Sequence, residues 1–186
     1  MLTITVKPFS VFDEATETFI TLDKPVTLKM EHSLLSISKY EQKIHKPLLE
    51  GFMKNTKKPI TPTEFLYYCE CMCLNEVESK VFYGLSENNI KDIMEYINNP
   101  MTATWFGDDG DDRKGEHKIL TNERIYGYMV SLEIPFSCEK WHINRLMTLI
   151  TVCSNNNNPK KMSKKDTVKK YADLNRQRRA AMHTKG

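Results

Sequence analysis

Residues 25–44, PVTLKMEHSLLSISKYEQKI, change from one hydrophobic period to another within a single short stretch. Residues 25–30 begin with a proline and then alternate apolar with polar side chains, which predicts a β-strand. From Ser33 onward, apolar residues recur every three or four positions between Leu34 and Ile44. This spacing predicts an α-helix that Ser33 caps. A strand that leads directly into an amphipathic helix favours an α+β fold.

Similar signals occur on both sides of this stretch. Residues 2–6 and 17–22 are rich in β-branched side chains, so together with residues 25–30 they predict a small antiparallel sheet with its first turn at Asp13-Glu14. Capping residues predict further helices that begin after Thr61, Ser86, Thr121 and Ser137. We therefore predict a mainly helical α+β fold. It has a small N-terminal antiparallel β-sheet, four to five packed helices and a projecting basic C-terminal helix.

The composition predicts a packed protein without a membrane segment. Hydrophobic residues make up 40% of the 186 residues, which is enough for a core. No apolar stretch approaches the roughly 20 residues that span a bilayer. Residues 1–10 lack the basic and apolar regions of a signal peptide. We therefore expect a protein of a reducing cytosol that does not bind membranes.

Neither the cysteines nor the acidic residues show a metal-binding pattern. Three cysteines alternate with other residues in 69–73, and alternate residues of a helix point about 200° apart. We expect buried, reduced thiols there. The four carboxylates in 108–112 lack the glycine and glutamate positions of a calcium loop. We expect them to form the acidic tip of a hairpin or long loop with arms at 102–106 and 118–120.

Catalytic motifs are also missing from the sequence. The five histidines form no zinc-protease pair, no serine lies in a nucleophile elbow, and the seven glycines form no phosphate-binding loop. We therefore predict a non-enzymatic protein that needs no cofactor and no metal ion.

Charge divides the chain into two regions. Residues 159–186 contain ten Lys and Arg against two Asp, a net charge of +8, whereas 17 basic and 22 acidic residues give the rest a net charge of −5. An Asn tract precedes the basic region. We therefore predict a globular body at 1–154 and, at 155–186, an Asn-rich hinge followed by a basic helix.

The predicted basic helix has a thin apolar stripe. Ser163 and Asp166 form a capping box, and the stripe consists of Val168, Tyr171 and Leu174. A solvated charged face, a targeting tag or a nucleic-acid-binding arm would also fit the charge. The stripe favours docking against another protein, with the positive charge selecting the partner.

Two groups of residues are candidates for partner contacts. Trp141, His142 and Arg145 are predicted to lie on the helix that begins after Ser137, with His142 and Arg145 on one face. Trp and Arg are frequent anchors of interfaces, although a polar edge on a buried helix is the alternative. The candidates in the basic region are Lys160, Lys161, Lys164, Lys165, Tyr171, Leu174, Arg178 and Arg179.

Several motifs together resemble a family of small tailed-phage proteins encoded near the tail tube and tape-measure genes. The matching motifs in the C-terminal half are Trp141-His142, Asn144-Arg145-Leu146, Pro159 to Lys164, Leu174-Asn175 and Arg178-Arg179. Residues 28–49 and 97–106 match the family's strand-to-helix entry and central turn. The resemblance thus extends over nearly the whole chain.

The resemblance implies a tail assembly chaperone. Such a chaperone binds the tape-measure protein in the host cytoplasm and keeps it soluble until the tail tube assembles around it. Two other functions remain open. One is a virion structural protein of the head–tail connector or tail, and the other is a nucleic-acid-binding accessory factor. The sequence also leaves open a homo-oligomer.

Overall fold

The N-terminal strands form two separate antiparallel pairs in the computed structural model of the protein. β1 (Leu2–Val6) pairs with β4 (Val26–Met30), and β2 (Phe9–Asp13) pairs with β3 (Thr18–Leu22). In the sequence, the β2–β3 hairpin therefore lies between β1 and β4. The three predicted strands are present, and β2 is an additional strand that the sequence pattern did not reveal.

The structure describes residues 1–14, 17–52, 56, 58–104, 120–157 and 172. Its α-helices are α1 (Leu34–Ile44), α2 (Leu48–Gly51), α3 (Pro62–Met72), α4 (Glu87–Asn98), α5 (Asn122–Ser131) and α6 (Ile143–Asn157). Two 3-10 helices, Ser79–Gly84 and Phe136–Lys140, precede α4 and α6. The mainly helical α+β class is confirmed. The predicted acidic tip at 108–112 and, apart from Ala172, the predicted basic helix lie outside the described residues.

Three predicted helix starts are confirmed by their capping geometry. The Ser33 hydroxyl accepts a hydrogen bond from the N–H of Ser36 at the start of α1. Thr61 does the same with Glu64 in α3, and Ser86 does so with Asn89 in α4. Each of these caps is a reciprocal capping box, which satisfies backbone donors that have no partner inside the helix.

The sequence predicted a helix that begins after Ser137, and this start is wrong. Residues Phe136–Lys140 form a 3-10 helix, Trp141 is extended, and α6 begins only at Ile143. His142 instead forms an isolated antiparallel bridge with Ser33, and the N–H of Ile143 donates to the carbonyl of His32 over 2.7 Å. Contacts with the distant residues His32 and Ser33 thus determine where α6 begins, and local helix propensity does not determine it.

The chain divides into two units, Met1–Thr151 and Val152–Gly186. The division falls inside α6, and the predicted boundary between the body and the hinge lies after residue 154. The helix also continues through Asn155 and Asn156 to Asn157, so these residues do not break it. Asn costs only a few tenths of a kcal/mol more than most residues in a helix, and extending an existing helix adds one hydrogen bond per residue.

The core of the first unit contains side chains from β1, β4 and the long helices. Its largest fully buried side chains include Leu28 of β4, Tyr40 of α1 and Tyr68 of α3. β2 and β3 contribute no buried side chain. All five cysteines are free; Cys69, Cys71 and Cys138 are buried, and Cys73 and Cys153 are half-buried. Burial raises the pKa of the Cys69 thiol to about 12.

Glu41 connects α1 to the first N–H groups of two other helices. One carboxylate oxygen accepts from the N–H of Leu48 in α2, and the other accepts from the N–H of Asn122 in α5, each over 2.9 Å. A negative charge at two helix N-termini is favourable because the helix dipole and the unpaired N–H groups both point toward it.

We expect Glu41→Ala to lower the free energy of unfolding by about 2 kcal/mol because two backbone donors lose their acceptor. Urea denaturation measures this change. The matched control is Gln42→Ala, since Gln42 is the exposed neighbour on the same helix. Equal stability of the two variants would contradict this role of Glu41.

Candidate functional site

The predicted contact residues near the start of α6 do not lie on one face. Arg145 is exposed and its guanidinium lies 4.1 Å from the centre of the half-buried Trp141 ring, so these two side chains form a stacked pair. His142 is buried, with 6% of its surface exposed. Because Trp141 and His142 precede the helix in extended backbone, their side chains point in opposite directions. The predicted shared face of His142 and Arg145 is therefore wrong.

His142 caps α6 from inside the protein. Its Nδ1 accepts a hydrogen bond from the N–H of Asn144 over 3.3 Å, so Nδ1 carries no proton. Its Nε2 lies 3.0 Å from the carbonyl oxygen of Tyr96 and donates to it. Both nitrogens are therefore used, and the arrangement requires the neutral imidazole with its proton on Nε2.

His32 lies beside His142 and is buried more deeply. It is 2% exposed, and the centres of the two imidazole rings are 5.1 Å apart in an edge-to-face arrangement. Its Nδ1 is hydrogen-bonded to the hydroxyl of Tyr68. Burial, together with the nearby His142, lowers the pKa of His32 to about 3, and burial also lowers the pKa of His142.

The two histidines connect four parts of the first unit. These are the turn after β4 with His32, α3 with Tyr68, the end of α4 with Tyr96, and the start of α6 with His142. We call this cluster of four side chains the histidine junction. The Tyr96 hydroxyl also donates to Glu31 over 2.6 Å. No buried side-chain nitrogen or oxygen in the described residues lacks a hydrogen-bond partner. The histidine junction is therefore a structural element whose polar groups are already satisfied.

The surface clefts of the first unit are open to solvent. A cleft of about 540 Å³ is lined by residues that include Glu41, whose two oxygens already accept backbone N–H groups. Another cleft, of about 340 Å³, is lined by apolar side chains that include Tyr67 and Phe82 and by as many polar ones. Within the described residues no group of three His, Cys, Asp or Glu side chains is placed to hold a metal ion. None of the helices in that part of the chain has the length and the apolar composition of a membrane span.

Within the part of the chain that the structure describes, a group of exposed apolar side chains belongs to the β2–β3 hairpin, residues 9–22, which we call the arm. At its base, Phe9 lies against Gly84, where an added Cβ would come within 2.2 Å of the Phe9 ring. Further out, Val11 is 48%, Phe12 is 49% and Phe19 is 68% exposed. Most apolar side chains of this size are buried in a folded domain, so this exposure needs a reason.

Strand register places the two phenylalanines side by side on one face of the arm. Phe12 pairs directly with Phe19, and their ring centres are 5.1 Å apart. Ser10 and Thr21 are the next residues on the same face. Residues 9–22 contain three carboxylates and no Lys, Arg or His, so the arm has a net charge of −3. The arm thus presents an aromatic face with an acidic tip.

Sequence reasoning missed the arm as a candidate site. The stretch PFSVFD does contain closely spaced aromatic residues, but their exposure depends on which strands pair and on what packs beneath them. The candidates predicted in the basic region, Lys160, Lys161, Lys164, Lys165, Tyr171, Leu174, Arg178 and Arg179, lie outside the described residues.

Comparison of the chain with protein-family models, curated proteins and solved structures finds no match.

We expect the histidine junction to make the protein less stable in mild acid. Both imidazole pKa values are lowered by folding, so the unfolded chain takes up protons first when the pH falls below about 6.5. The stabilising contribution is complete above that pH and decreases as the pH falls toward the folded pKa, about 3 for His32. His32→Asn should make the pH dependence of unfolding shallower by up to about 1.4 kcal/mol per pH unit.

Urea denaturation at a series of pH values measures this slope. His45→Asn is the control, because His45 is exposed and its left-handed backbone conformation, with φ 56°, suits Asn. If His32→Asn and the parent protein lose stability in parallel below about pH 6.5, His32 is not buried in neutral form.

Proposed function

We propose that this chain is a non-enzymatic phage tail assembly chaperone that binds the tape-measure protein in the host cytoplasm and keeps it soluble during tail tube assembly. The observation that supports protein binding best is the exposed aromatic pair of the arm, Phe12 and Phe19. The resemblance of the sequence motifs to small tail-module proteins of phages supports the identity of the partner.

Burial of the arm by a partner is energetically favourable. Complete burial of a phenylalanine side chain contributes about 1.5–3 kcal/mol relative to full exposure. Phe12 is 49% and Phe19 is 68% exposed, so covering both contributes roughly 2–3.5 kcal/mol. A gain of this size is consistent with a reversible contact, which a chaperone needs because the tube protein must later displace it.

The Trp141–Arg145 pair is a second candidate contact. Trp and Arg are among the residues that contribute most to protein interfaces. The stacking of Arg145 on the Trp141 ring holds the guanidinium in place before any partner binds, which reduces the entropy lost on binding. Trp141 and Arg145 therefore remain proposed partner-binding residues, whereas His142 has a structural role in the junction.

A virion structural protein is the second candidate function. It is favoured by the two-stranded sheets, because each strand of the arm pairs on one side only within the described residues. Unpaired strand edges are suitable for permanent contacts between subunits of a particle as well as for transient contacts with a client.

Co-expression with the tape-measure protein tests the chaperone function. We expect this chain to increase the soluble fraction of the tape-measure protein, and we expect mass spectrometry of purified virions to find little or none of the chain. An unchanged soluble fraction would contradict client binding. A high copy number in mature virions would support the structural function instead.

A further inference from the structure

We propose that the arm binds an extended, positively charged segment of a partner protein as an additional strand. This inference rests on the proposed function only in that it takes the chain to be a protein-binding factor. It adds the mode of binding, which is strand addition, and the chemistry of the partner segment, which is basic with apolar side chains at alternate positions.

The backbone of the arm is suitable for strand addition. β2 and β3 form a two-stranded ladder, and no third strand pairs with either of them within the described residues. Proteins usually protect such edges with Lys, Pro, a bulge or a covering helix. Neither Lys nor Pro occurs in FSVFD or TFITL, and the 3-10 helix Ser79–Gly84 packs near β3. A two-stranded hairpin is marginal on its own, and a third strand gives it the hydrogen bonds that it lacks.

The side chains of the arm select alternate apolar residues in the partner. Phe12 and Phe19 lie on one face, with Ser10 and Thr21 beside them toward the base. An added strand places every second side chain on this same face, where apolar groups extend the aromatic surface.

The charge of the arm selects a basic segment. Its three carboxylates, with no cation between residues 9 and 22, give a net charge of −3 near the exposed phenylalanines. Glu14 and Glu17 are exposed at the tip. Lys or Arg in a partner strand is attracted to this tip, and acidic partners are repelled.

The same charge disfavours the other occupants. Nucleic acid and anionic membranes carry negative charge, and so does the arm of a second copy of this chain. A ladder of five residues per strand also buries much less than the roughly 800 Å² per partner of a stable dimer. A basic segment is therefore the occupant that the charge of the arm favours. We assign it to another protein, and binding of the Lys peptide only after removal of residues 159–186, which carry a net charge of +8, would assign it to this chain instead.

Three synthetic peptides test this proposal with the full-length protein. All are eight-residue peptides that alternate polar residues with Val or Phe, and the polar residue is Lys in the first, Gln in the second and Glu in the third. We expect fluorescence anisotropy to show saturable binding of the Lys peptide, weaker binding of the Gln peptide and none of the Glu peptide. Hydrogen exchange should show new protection of backbone amides within 9–22 when the Lys peptide binds.

Two variants of the arm are each paired with a control variant at exposed residues outside the arm. Phe12→Ser combined with Phe19→Ser should weaken binding of the Lys peptide about tenfold or more, whereas Phe136→Ser should change it less than about twofold. Phe136 is a fair control because it is 56% exposed and lies outside the arm. A charge-reversed arm, Glu14→Lys with Glu17→Lys, tests the acidic tip without altering the strands.

The control for charge reversal changes two exposed carboxylates outside the arm, Glu76→Lys with Asp92→Lys. We expect it to weaken binding much less than reversal at the tip. Absence of Lys-peptide binding, equal binding of the Gln or Glu peptide, or new amide protection only outside 9–22 would each overturn the proposal. Protection on the parent protein remains informative even if the serine variant does not fold.

The peptide experiment and the co-expression experiment test separate claims, and either claim can be wrong while the other holds. If the tape-measure protein stays soluble with both the parent chain and the serine variant of the arm, the chaperone function stands and the arm is not its binding site. If the Lys peptide binds the arm but the tape-measure protein is not solubilised, strand addition stands and the proposed client is wrong.

Discussion

The contact between two neutral, buried histidines is the interaction on which the body of this protein depends. His32 and His142 hold the turn after β4 against the start of α6, and through Tyr68 and Tyr96 they also reach α3 and α4. Each His142 nitrogen has one partner, so the cap of α6 exists only while the ring is neutral. A charge at this place would break a hydrogen bond and leave a cation in a buried site.

The arm, in contrast to the buried histidine junction, is exposed. It contributes no side chain to the core, so we expect changes at Phe12 or Phe19 to leave the histidine junction intact. The junction in turn has no exposed polar group to offer a partner. The sequence of the arm can therefore change without loss of the fold, as is usual for loops and hairpins on a rigid scaffold.

Local signals allowed prediction of the fold class, of three strands and of the helix caps at Ser33, Thr61 and Ser86, because capping depends on residues only three positions apart. The start of α6 was not predictable in this way, since the bridge between Ser33 and His142 joins residues far apart in the chain. The candidate contact residues of the sequence stay predictions. The sequence pointed to Trp141 and Arg145, whereas the exposure of Phe12 and Phe19 follows from strand pairing and packing.

The most direct test of this account is the protonation state of the junction histidines, measured from the ring nitrogen resonances in a two-bond proton–nitrogen NMR spectrum of the labelled protein. We expect His142 to carry its proton on Nε2 and both rings to titrate with midpoints below about pH 6.5, the usual value for an imidazole. Protonation of either ring with a midpoint at or above about pH 6.5, or a proton on Nδ1 of His142 at neutral pH, would contradict it.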